Sequence, residues 1–166
     1  MTERLAFDLA GHVERSRRGP CFICEYASGN PDYAHHTIAA DDEAVIFLSK
    51  YPTLPGYTLV CPRAHRQDLA EDLSHAEYLA LQARVYRVAR ALKRVFDAER
   101  IYVMSLGSQQ GNSHLHWHVV PLPKGIAYEH QQFYAVMAEN GVLALTPQEM
   151  ADMAQRIGDV YRTLDA

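Results

Sequence analysis

The sequence predicts an α+β protein in which an antiparallel sheet of about five strands carries a long helix and terminal helices. Three observations predict this class. Short apolar segments joined by tight turns fill residues 35–62, a long amphipathic segment follows at residues 74–97, and two strand-like segments precede a last helical segment that begins near residue 147. Strands joined by short turns pair antiparallel, and amphipathic helices cover a face of such a sheet.

Length and composition indicate one globular domain. We expect residues 1–166 to form a single domain, with a core at residues 20–123 and a C-terminal extension with a helix at residues 124–166. The hydrophobic content of 48% and the charged content of 22% are ordinary for a soluble globular protein. The net charge of −4 gives no overall basic surface, which argues against nucleic acid as a partner.

The N-terminal stretch and the cysteines indicate a cytoplasmic protein. The stretch MTERLAFDLAGHVERSRRGP lacks the apolar region of a signal peptide. No window contains the roughly 18 apolar residues that a membrane span needs, so we expect no membrane contact. The chain has three cysteines, and an odd count in a reducing compartment argues against a disulfide framework.

The first half of the chain contains one predicted helix and three predicted strands. Thr2 can cap a helix with Leu5, Leu9 and Val13 on one stripe, which ends near Gly19-Pro20. After CFICEYA, the stretch GNPD is typical of a turn. HHTIAAD and EAVIFLSK are two strands with a tight connection, and YTLVCP is a third strand after the loop YPTLPG.

The long helix begins at a capping box, with Ser74 at the N-cap and Glu77 three residues later, and should end near Asp97. An apolar stripe indicates its buried face. The stripe consists of Leu81, Val85, Val88, Leu92 and Val95. We interpret the arginines mostly on another face as a solvated surface. They are Arg84, Arg87, Arg90 and Arg94.

The second half contains two strands and a last helix. RIYVMSLG is a strand, and the loop SQQGN leads to the next strand. TPQE at residues 146–149 is a second capping box with Pro147 at the first helical position, and its helix should run to about Leu164.

Three histidines occupy alternate positions in NSHLHWHVVP, residues 112–121. On a strand, successive side chains point to opposite faces, so His114, His116 and His118 should share one face that borders a cleft. The apolar residues between them should pack into the core. The alternative is an exposed polar strand face without chemistry.

Two chemistries fit closely spaced imidazoles. A histidine can act as a covalent nucleophile while its neighbours orient it and carry protons. Two or three histidines can instead bind a catalytic zinc that keeps one position open for water. Cys21 and Cys24, in the stretch CFIC, have the CxxC spacing that can chelate zinc, but the same spacing also occurs in redox pairs and in unpaired thiols. Cys61, within an apolar strand, is interpreted as a small buried hydrophobe.

The pattern HLHWHVV, which is His-φ-His-φ-His-φ-φ with φ apolar, resembles the signature of the histidine triad (HIT) superfamily of nucleotidyl hydrolases and transferases. The stretch LPGYTLVCPRAHRQDL at residues 54–69 resembles the family segment that passes the nucleotide and turns toward a helix. The order of segments agrees over roughly residues 20–123. The stretch from GN to HLHWHVVP, residues 111–121, resembles the diadenosine-polyphosphate-hydrolase-like members of this superfamily.

The resemblance implies roles for the three histidines. His116 would be the nucleophile that attacks the α-phosphate of a nucleotide and forms a nucleotidyl-histidine, which water, phosphate or another acceptor resolves. His118 would contact phosphate oxygens, and His114 completes the triad. The implied substrate is a dinucleoside polyphosphate or another nucleotide conjugate.

The resemblance also implies substrate contacts. Tyr57 stands where many members have a histidine that supports the nucleophile, and Ser49 lies near the position of a family asparagine. Asn112 and Ser113 can offer an amide and a hydroxyl to a phosphate, or serve only turn chemistry. Three cations flank the motifs and can meet a polyphosphate or remain surface charges. They are Lys50, Arg63 and Lys124.

A structural zinc and a homodimer follow from the same resemblance. Zinc-containing members suggest a closed Cys2His2 site of Cys21, Cys24, His65 and His114, which would brace the histidine segment without doing chemistry. His35 or His36 can replace His65 as the third ligand. Members of the family commonly dimerise through the long helix and an edge strand.

The sequence alone leaves two other functions open. The triad histidines can be ligands of a catalytic zinc in a zinc-dependent hydrolase. The protein can also be a nucleotide-binding module without turnover, since Tyr57 and Ser49 depart from the family pattern.

Overall fold

The structure is a computed structural model that describes residues 3–164. It contains seven strands and five α-helices in these residues. In chain order they are β1 (Arg4–Leu5), α1 (Leu9–Arg18), α2 (Phe22–Ala27), β2 (Thr37–Ala40), β3 (Ala44–Leu48), β4 (Thr58–Pro62), α3 (His75–Phe96), β5 (Arg100–Ser105), β6 (Trp117–Leu122), α4 (Phe133–Val136), β7 (Val142–Leu143) and α5 (Pro147–Thr163).

Five strands form one antiparallel sheet in the order β2-β3-β4-β6-β5. The predicted α+β class with a five-stranded antiparallel sheet is therefore confirmed. The short strands β1 and β7 form a separate antiparallel pair, which joins the N-terminal segment to the chain that precedes α5. None of the described helices has the length and apolar content that a membrane span requires.

Helices α3 and α5 pack together on one face of the sheet. Both start at the predicted capping boxes, at Ser74 with Glu77 and at Thr146 with Glu149, where each side chain satisfies a backbone N–H that the helix leaves free. Four of the five predicted stripe residues of α3 are buried, and Val95 is partly buried against the same core. The other face of the sheet carries a second apolar cluster, to which α2 contributes Ile23.

One arginine of α3 does more than cover a solvated surface. Arg84 donates to Asp41 Oδ2 from both Nε and Nη2, at 3.0 and 2.8 Å, and to Glu43 Oε2 at 2.7 Å. Its side chain is only 18% exposed. The two carboxylates lie at the tight connection between β2 and β3, so the ion pairs hold this turn against the long helix. Arg87 similarly lies over the ring of Tyr161 of α5.

The N-terminal helix begins later than the sequence pattern predicts. Leu5 pairs with Val142 in the small sheet, and α1 starts at Leu9 with the side chain of Asp8 accepting from Gly11 N. Thr2, the predicted cap, lies outside the described residues. An aspartate satisfies a free helical N–H, and strand pairing removes Leu5 from the helix.

The histidine segment is only partly a strand. His118 lies within β6, whereas His114 and His116 precede it. The ladder with β4 ends at Trp117, and two residues earlier Leu115 N bonds instead to Arg66 O, at 2.7 Å, in the loop after β4. The side chains nevertheless alternate, and Trp117 and Val119 pack into the main core with Leu115 at its margin.

Candidate active site and metal centre

His116 has one ring nitrogen committed to the backbone. The ring is 5% exposed, and its Nδ1 lies 2.7 Å from the carbonyl oxygen of His114. A carbonyl only accepts, so Nδ1 carries the proton and Nε2 keeps its lone pair. Burial lowers the pKa of His116, which favours this neutral form. The arrangement leaves a neutral imidazole with Nε2 available to attack an electrophile.

His118 lies beside His116, with 4.7 Å between the ring centroids. Tyr57 Oη lies 3.1 Å from His118 Nδ1, and burial raises the pKa of Tyr57 to about 12, so the phenol stays protonated and donates. Since Nδ1 accepts this hydrogen bond, the neutral ring of His118 carries its proton on Nε2. This atom is buried, and among the described residues no group makes a hydrogen bond to it within ordinary geometry, although the backbone carbonyl of Leu106 lies near enough to the ring to raise the pKa of His118. Buried donors normally have partners, so a ligand oxygen would complete this one.

Burial also lowers the pKa of His118 to about 3, with a further contribution from the neighbouring His116, whereas the backbone carbonyl of Leu106 acts in the opposite direction. His118 is therefore neutral at neutral pH in the free protein. An anion near both rings would raise the pKa of His118, because negative charge favours the imidazolium form.

His116 and His118 line a cavity of about 680 Å³. Of the four residues predicted to contact substrate, the structure brings Ser49, Tyr57 and Asn112 to the cavity wall. Asn112 adopts a left-handed backbone conformation with φ of 55°, which an asparagine tolerates. Ser113 is not among the residues that line the cavity. A volume in this range is typical of a site for a ligand of nucleotide size or larger.

The three flanking cations differ in position. Lys50 lines the cavity. Arg63 donates to the carbonyl oxygens of Asp41 and Ala27, so it has a structural role. Lys124 pairs with Asp97 at the surface, and neither Arg63 nor Lys124 lines the cavity.

A compact group of four metal-binding side chains lies next to the active site. The ligand atoms of Cys21, Cys24, His65 and His114 all lie within 4.8 Å of one another. His114 Nδ1 lies 3.3 Å from Cys21 Sγ and 3.5 Å from Cys24 Sγ, and His65 Nδ1 lies 3.3 Å from Cys24 Sγ. Tetrahedral zinc, with bonds of about 2.3 Å to sulfur and 2.0 Å to nitrogen, separates such ligands by about 3.5 Å.

The hydrogen bonds around this group fit metal ligation. His114 Nε2 lies 2.8 Å from the carbonyl oxygen of Pro62, so Nε2 donates and Nδ1 presents a lone pair to the thiols. Gln67 Nε2 lies 2.7 Å from His65 Nε2, and a 180° turn of the amide places its oxygen there to accept from Nε2–H, which leaves His65 Nδ1 free to bind a metal. The four residues thus form a candidate zinc site of the Cys2His2 type, with the donor set and spacing of a structural zinc.

The other cysteine and the two alternative histidine ligands lie elsewhere. Cys61 is fully buried in β4, as its interpretation as a small hydrophobe predicts. His35 stacks on Phe47, with 4.7 Å between ring centroids and 5° between planes, and lies in the wall of the cavity. His65 therefore joins the Cys2His2 group, whereas neither His35 nor His36 does.

Residues of the N-terminal segment also line the cavity, and sequence reasoning did not identify them. Phe7 forms part of the wall, as do four residues of α1, which are Leu9, His12, Arg15 and Ser16. The apolar stripe of α1 indicated a helix but gave no sign of where it packs. The alternation of polar and apolar residues is the same whether a helix covers a core or a cavity.

The fold and the site together define an α+β protein with a histidine-lined cavity beside a candidate zinc centre. The HIT domain family model matches residues 30–125, more than half of the chain, so the protein belongs to the HIT domain family. An uncharacterized HIT-like protein from Saccharolobus solfataricus is 32% identical over 104 residues, which cover 61% of this chain and 73% of that protein.

Solved structures show the same fold at lower identity. A hypothetical histidine triad nucleotide-binding protein from Sulfolobus tokodaii superposes with a TM-score of 0.69 and 18% identity, covering 86% of this chain and 93% of that one. A Zn-bound histidine triad family protein from Mycobacterium smegmatis superposes with a TM-score of 0.66 and 20% identity, covering 86% and 94% of the two chains.

Proposed function

We propose that this protein is a nucleotidyl hydrolase or transferase that works through a nucleotidyl-histidine intermediate on His116. One observation carries the proposal: Nδ1 of His116 donates to the His114 carbonyl oxygen at 2.7 Å, so Nε2 remains unprotonated in a cavity large enough for a nucleotide. A fixed, neutral imidazole is a nucleophile that needs no separate base.

The first step forms a bond between Nε2 of His116 and the α-phosphorus of the substrate. The bond from phosphorus to the leaving group breaks, and its electron pair leaves with the departing atom. His118 Nε2–H donates a hydrogen bond to a phosphate oxygen and so stabilises the negative charge that develops there. In the second step the oxygen of water or another acceptor attacks phosphorus and releases its proton to solvent, the P–N bond breaks, and its electron pair returns to His116 Nε2.

The substrate contacts follow the cavity wall. Ser49 and Asn112 offer a hydroxyl and an amide to the ribose or the phosphate, and Tyr57 holds His118 in the tautomer that can donate. Ser113, next to the wall, remains a proposal for a phosphate contact in the bound state. We infer that the substrate is a dinucleoside polyphosphate or another nucleotide conjugate.

We propose that Cys21, Cys24, His65 and His114 hold a structural zinc. A closed set of four ligands leaves no position for water, so the metal would brace the segment that carries His116. This role disfavours a zinc-dependent hydrolase that uses the triad as ligands. Of the triad, only His114 belongs to the metal-binding group, and the Nδ1 of His116 is already engaged.

We also propose a homodimer. Strand β5 is an edge of the sheet, and Val103 on it is 47% exposed. On α3, Leu79 and Tyr86 are 52% and 64% exposed. An unpaired strand edge and exposed apolar side chains on the long helix are surfaces that a second copy can cover. Sedimentation at micromolar concentration should give twice the monomer mass, and a monomer would refute this.

Turnover of nucleotide conjugates by variants tests the function. His116→Ala should lose product formation by at least about 1,000-fold, as loss of a covalent nucleophile predicts. His116→Asn keeps an N–H donor for the His114 carbonyl, so equal inactivity in both variants separates lost chemistry from lost structure. The exposed His130→Ala serves as the matched control and should keep wild-type activity.

A nucleotide-binding module without turnover is the second candidate. The phenol of Tyr57, where many family members have a histidine, favours it. Tight nucleotide binding by the wild type, with no product from any conjugate after long incubation, would support this candidate and contradict the enzyme.

A further inference from the structure

Helix α1 covers the cavity rather than the core. None of its ten residues is buried, although Leu9 and Val13 are apolar. Leu9, His12, Arg15 and Ser16 line the cavity, and the whole helix lies before the residues that match the HIT domain. A helix that buries no residue contributes little to core stability, so its side chains are free to shape the site.

Both ends of this helix are held in place. Before it, Arg4 donates to the carbonyl oxygens of Gly141 and Thr53 at 2.7 and 2.8 Å. Near its end, the backbone of Gly111 packs so closely that a Cβ there would lie 3.1 Å from the Ser16 carbonyl oxygen. Gly111 belongs to the loop that leads to His116. The helix is therefore fixed to the nucleophile's own segment.

An aromatic cluster lies between α1 and the loop after β3. We call Phe7, His12 and Tyr51 the N-terminal aromatic cluster. The ring of Phe7 lies 5.2 Å from each of the other two rings, and His12 and Tyr51 are 5.9 Å apart. All three rings are half-buried and line the cavity. Half-buried rings in a cavity are suited to stack on a planar base.

A second aromatic group lines the same cavity through Phe22 and His35, of which only His35 lies within the residues that match the HIT domain. Phe22 and His35 pack edge to face, 5.9 Å apart, and His35 stacks on Phe47. No ring contact joins this group to the N-terminal aromatic cluster among residues 3–164. The cavity therefore offers two separate aromatic groups on which a planar base can stack, and one proposed nucleophile, His116.

Cations lie in the same cavity. Arg15 and Lys50 belong to its wall, together with the acidic residues Asp32 and Glu139. The ion pair of Arg15 with Asp8 is long, at 3.8 Å, and both side chains are mostly exposed, so the guanidinium can turn to another anion. Two cations near two aromatic groups match a ligand that has two bases joined by a chain of phosphates.

We propose that the N-terminal aromatic cluster is a leaving-group subsite that binds the second nucleoside of a dinucleoside polyphosphate, with Arg15 and Lys50 on the connecting phosphates. The inference rests on the proposed nucleotidyl transfer. His116 Nε2 bonds to the α-phosphorus of the first nucleotide, the bond to the bridging oxygen breaks, and that oxygen keeps the electron pair. The second nucleotide leaves from the subsite, and water then releases the first.

Two substrates separate the subsite from the chemistry. A dinucleoside tetraphosphate fills both places, whereas the 5′-phosphoramidate of the same nucleoside has only ammonia as its leaving group. In the full-length protein, Phe7→Ala should lower the ratio of their kcat/KM values, dinucleotide over phosphoramidate, by about 10-fold, since stacking on one ring contributes about this much per base. The change should appear mainly in KM. Phe7→Trp, which keeps a stacking surface, should restore the ratio.

A control variant and the wild-type activities distinguish failure of the leaving-group subsite from failure of the proposed function. Phe133, 73% exposed and outside the cavity wall, is the matched control, and Phe133→Ala should keep the wild-type ratio. An unchanged ratio in Phe7→Ala and Tyr51→Ala would overturn the subsite, as would a wild type that cleaves only the phosphoramidate. A wild type that cleaves neither substrate would instead overturn the proposed function.

Discussion

The backbone of His114 holds the ring of His116, while the side chain of His114 belongs to the metal-binding group. Its carbonyl oxygen lies 2.7 Å from His116 Nδ1, and its own Nδ1 lies 3.3 Å from Cys21 Sγ. One residue thus connects the candidate zinc centre to the nucleophile. A displacement of His114 would change both the tautomer and the direction of the attacking nitrogen.

Removal of one thiol should release the metal. Cys21→Ala leaves three ligands, so we expect zinc to fall from about one per chain to near zero and the free energy of unfolding to fall by at least about 3 kcal/mol. Cys61→Ala, which removes the third cysteine outside the group, should keep the zinc. Plasma mass spectrometry measures the zinc content, and urea titration measures the free energy of unfolding. Full zinc in Cys21→Ala would contradict the Cys2His2 site.

The phenol of Tyr57 should matter through His118. Tyr57→Phe removes the donor to His118 Nδ1 and frees the other tautomer, so we expect kcat to fall about 5-fold, the equivalent of one hydrogen bond. KM should change little because the ring itself remains. Tyr57→His supplies an imidazole donor and should keep more activity than Tyr57→Phe. Equal activity of Tyr57→Phe and the wild type would refute this role.

The ion pairs of Arg84 should stabilise the fold. Arg84→Met keeps the apolar part of the side chain but removes the donors to Asp41 and Glu43, and we expect a loss of about 1–2 kcal/mol because these bonds are charge-assisted and partly shielded. Arg94→Met, on an exposed part of the same helix, should change stability by less than about 0.5 kcal/mol. Chemical denaturation of both variants measures the difference. Equal losses would mean that helix propensity, not the ion pairs, accounts for the effect.

His35 should make the fold sensitive to mild acid. Burial lowers its pKa to about 4, from an ordinary value of 6.5, with smaller contributions from Lys50 and His36. The unfolded chain therefore binds the proton more readily, so stability is full above pH 6.5 and falls as the pH decreases toward 4. Because the ring is partly exposed, we expect this residue to account for about 1–2 kcal/mol over that range.

Comparison of two variants isolates this effect from metal loss, which acid also promotes. His35→Phe should flatten the decline of unfolding free energy between pH 6.5 and pH 4 relative to the wild type. His130→Phe, at an exposed position, should decline as the wild type does. Parallel curves for all three proteins would show that His35 does not carry the dependence.

The sequence allowed the helices α3 and α5 and the sheet to be predicted because their signals are local. The capping boxes at Ser74 and Thr146 mark the helix starts, and the apolar stripe of α3 marks its buried face. Cys21 and Cys24 were candidates from their spacing alone, but their partners were not. His65 and His114 are far from them in sequence, and only the resemblance to zinc-containing HIT proteins brought them forward.

Other features depend on contacts that the local pattern does not contain. His116 lies before the strand rather than within it, and Leu115 N finds its acceptor at Arg66 in another loop. The N-terminal helix faces a cavity, although its stripe of Leu9 and Val13 is like that of a core helix. Arg84 has two acidic partners that lie over 40 residues away.

Mapping the covalent adduct shows directly whether His116 is the nucleophile. The wild type is mixed with a nucleotide conjugate that it cleaves, quenched within the first turnover at alkaline pH, digested, and analysed by tandem mass spectrometry. If His116 is the nucleophile, a nucleoside monophosphate mass is expected on the peptide that contains His116, assigned to that residue and absent in His116→Asn. Product formation with the adduct on another residue, or with no adduct during the first turnover, would contradict it.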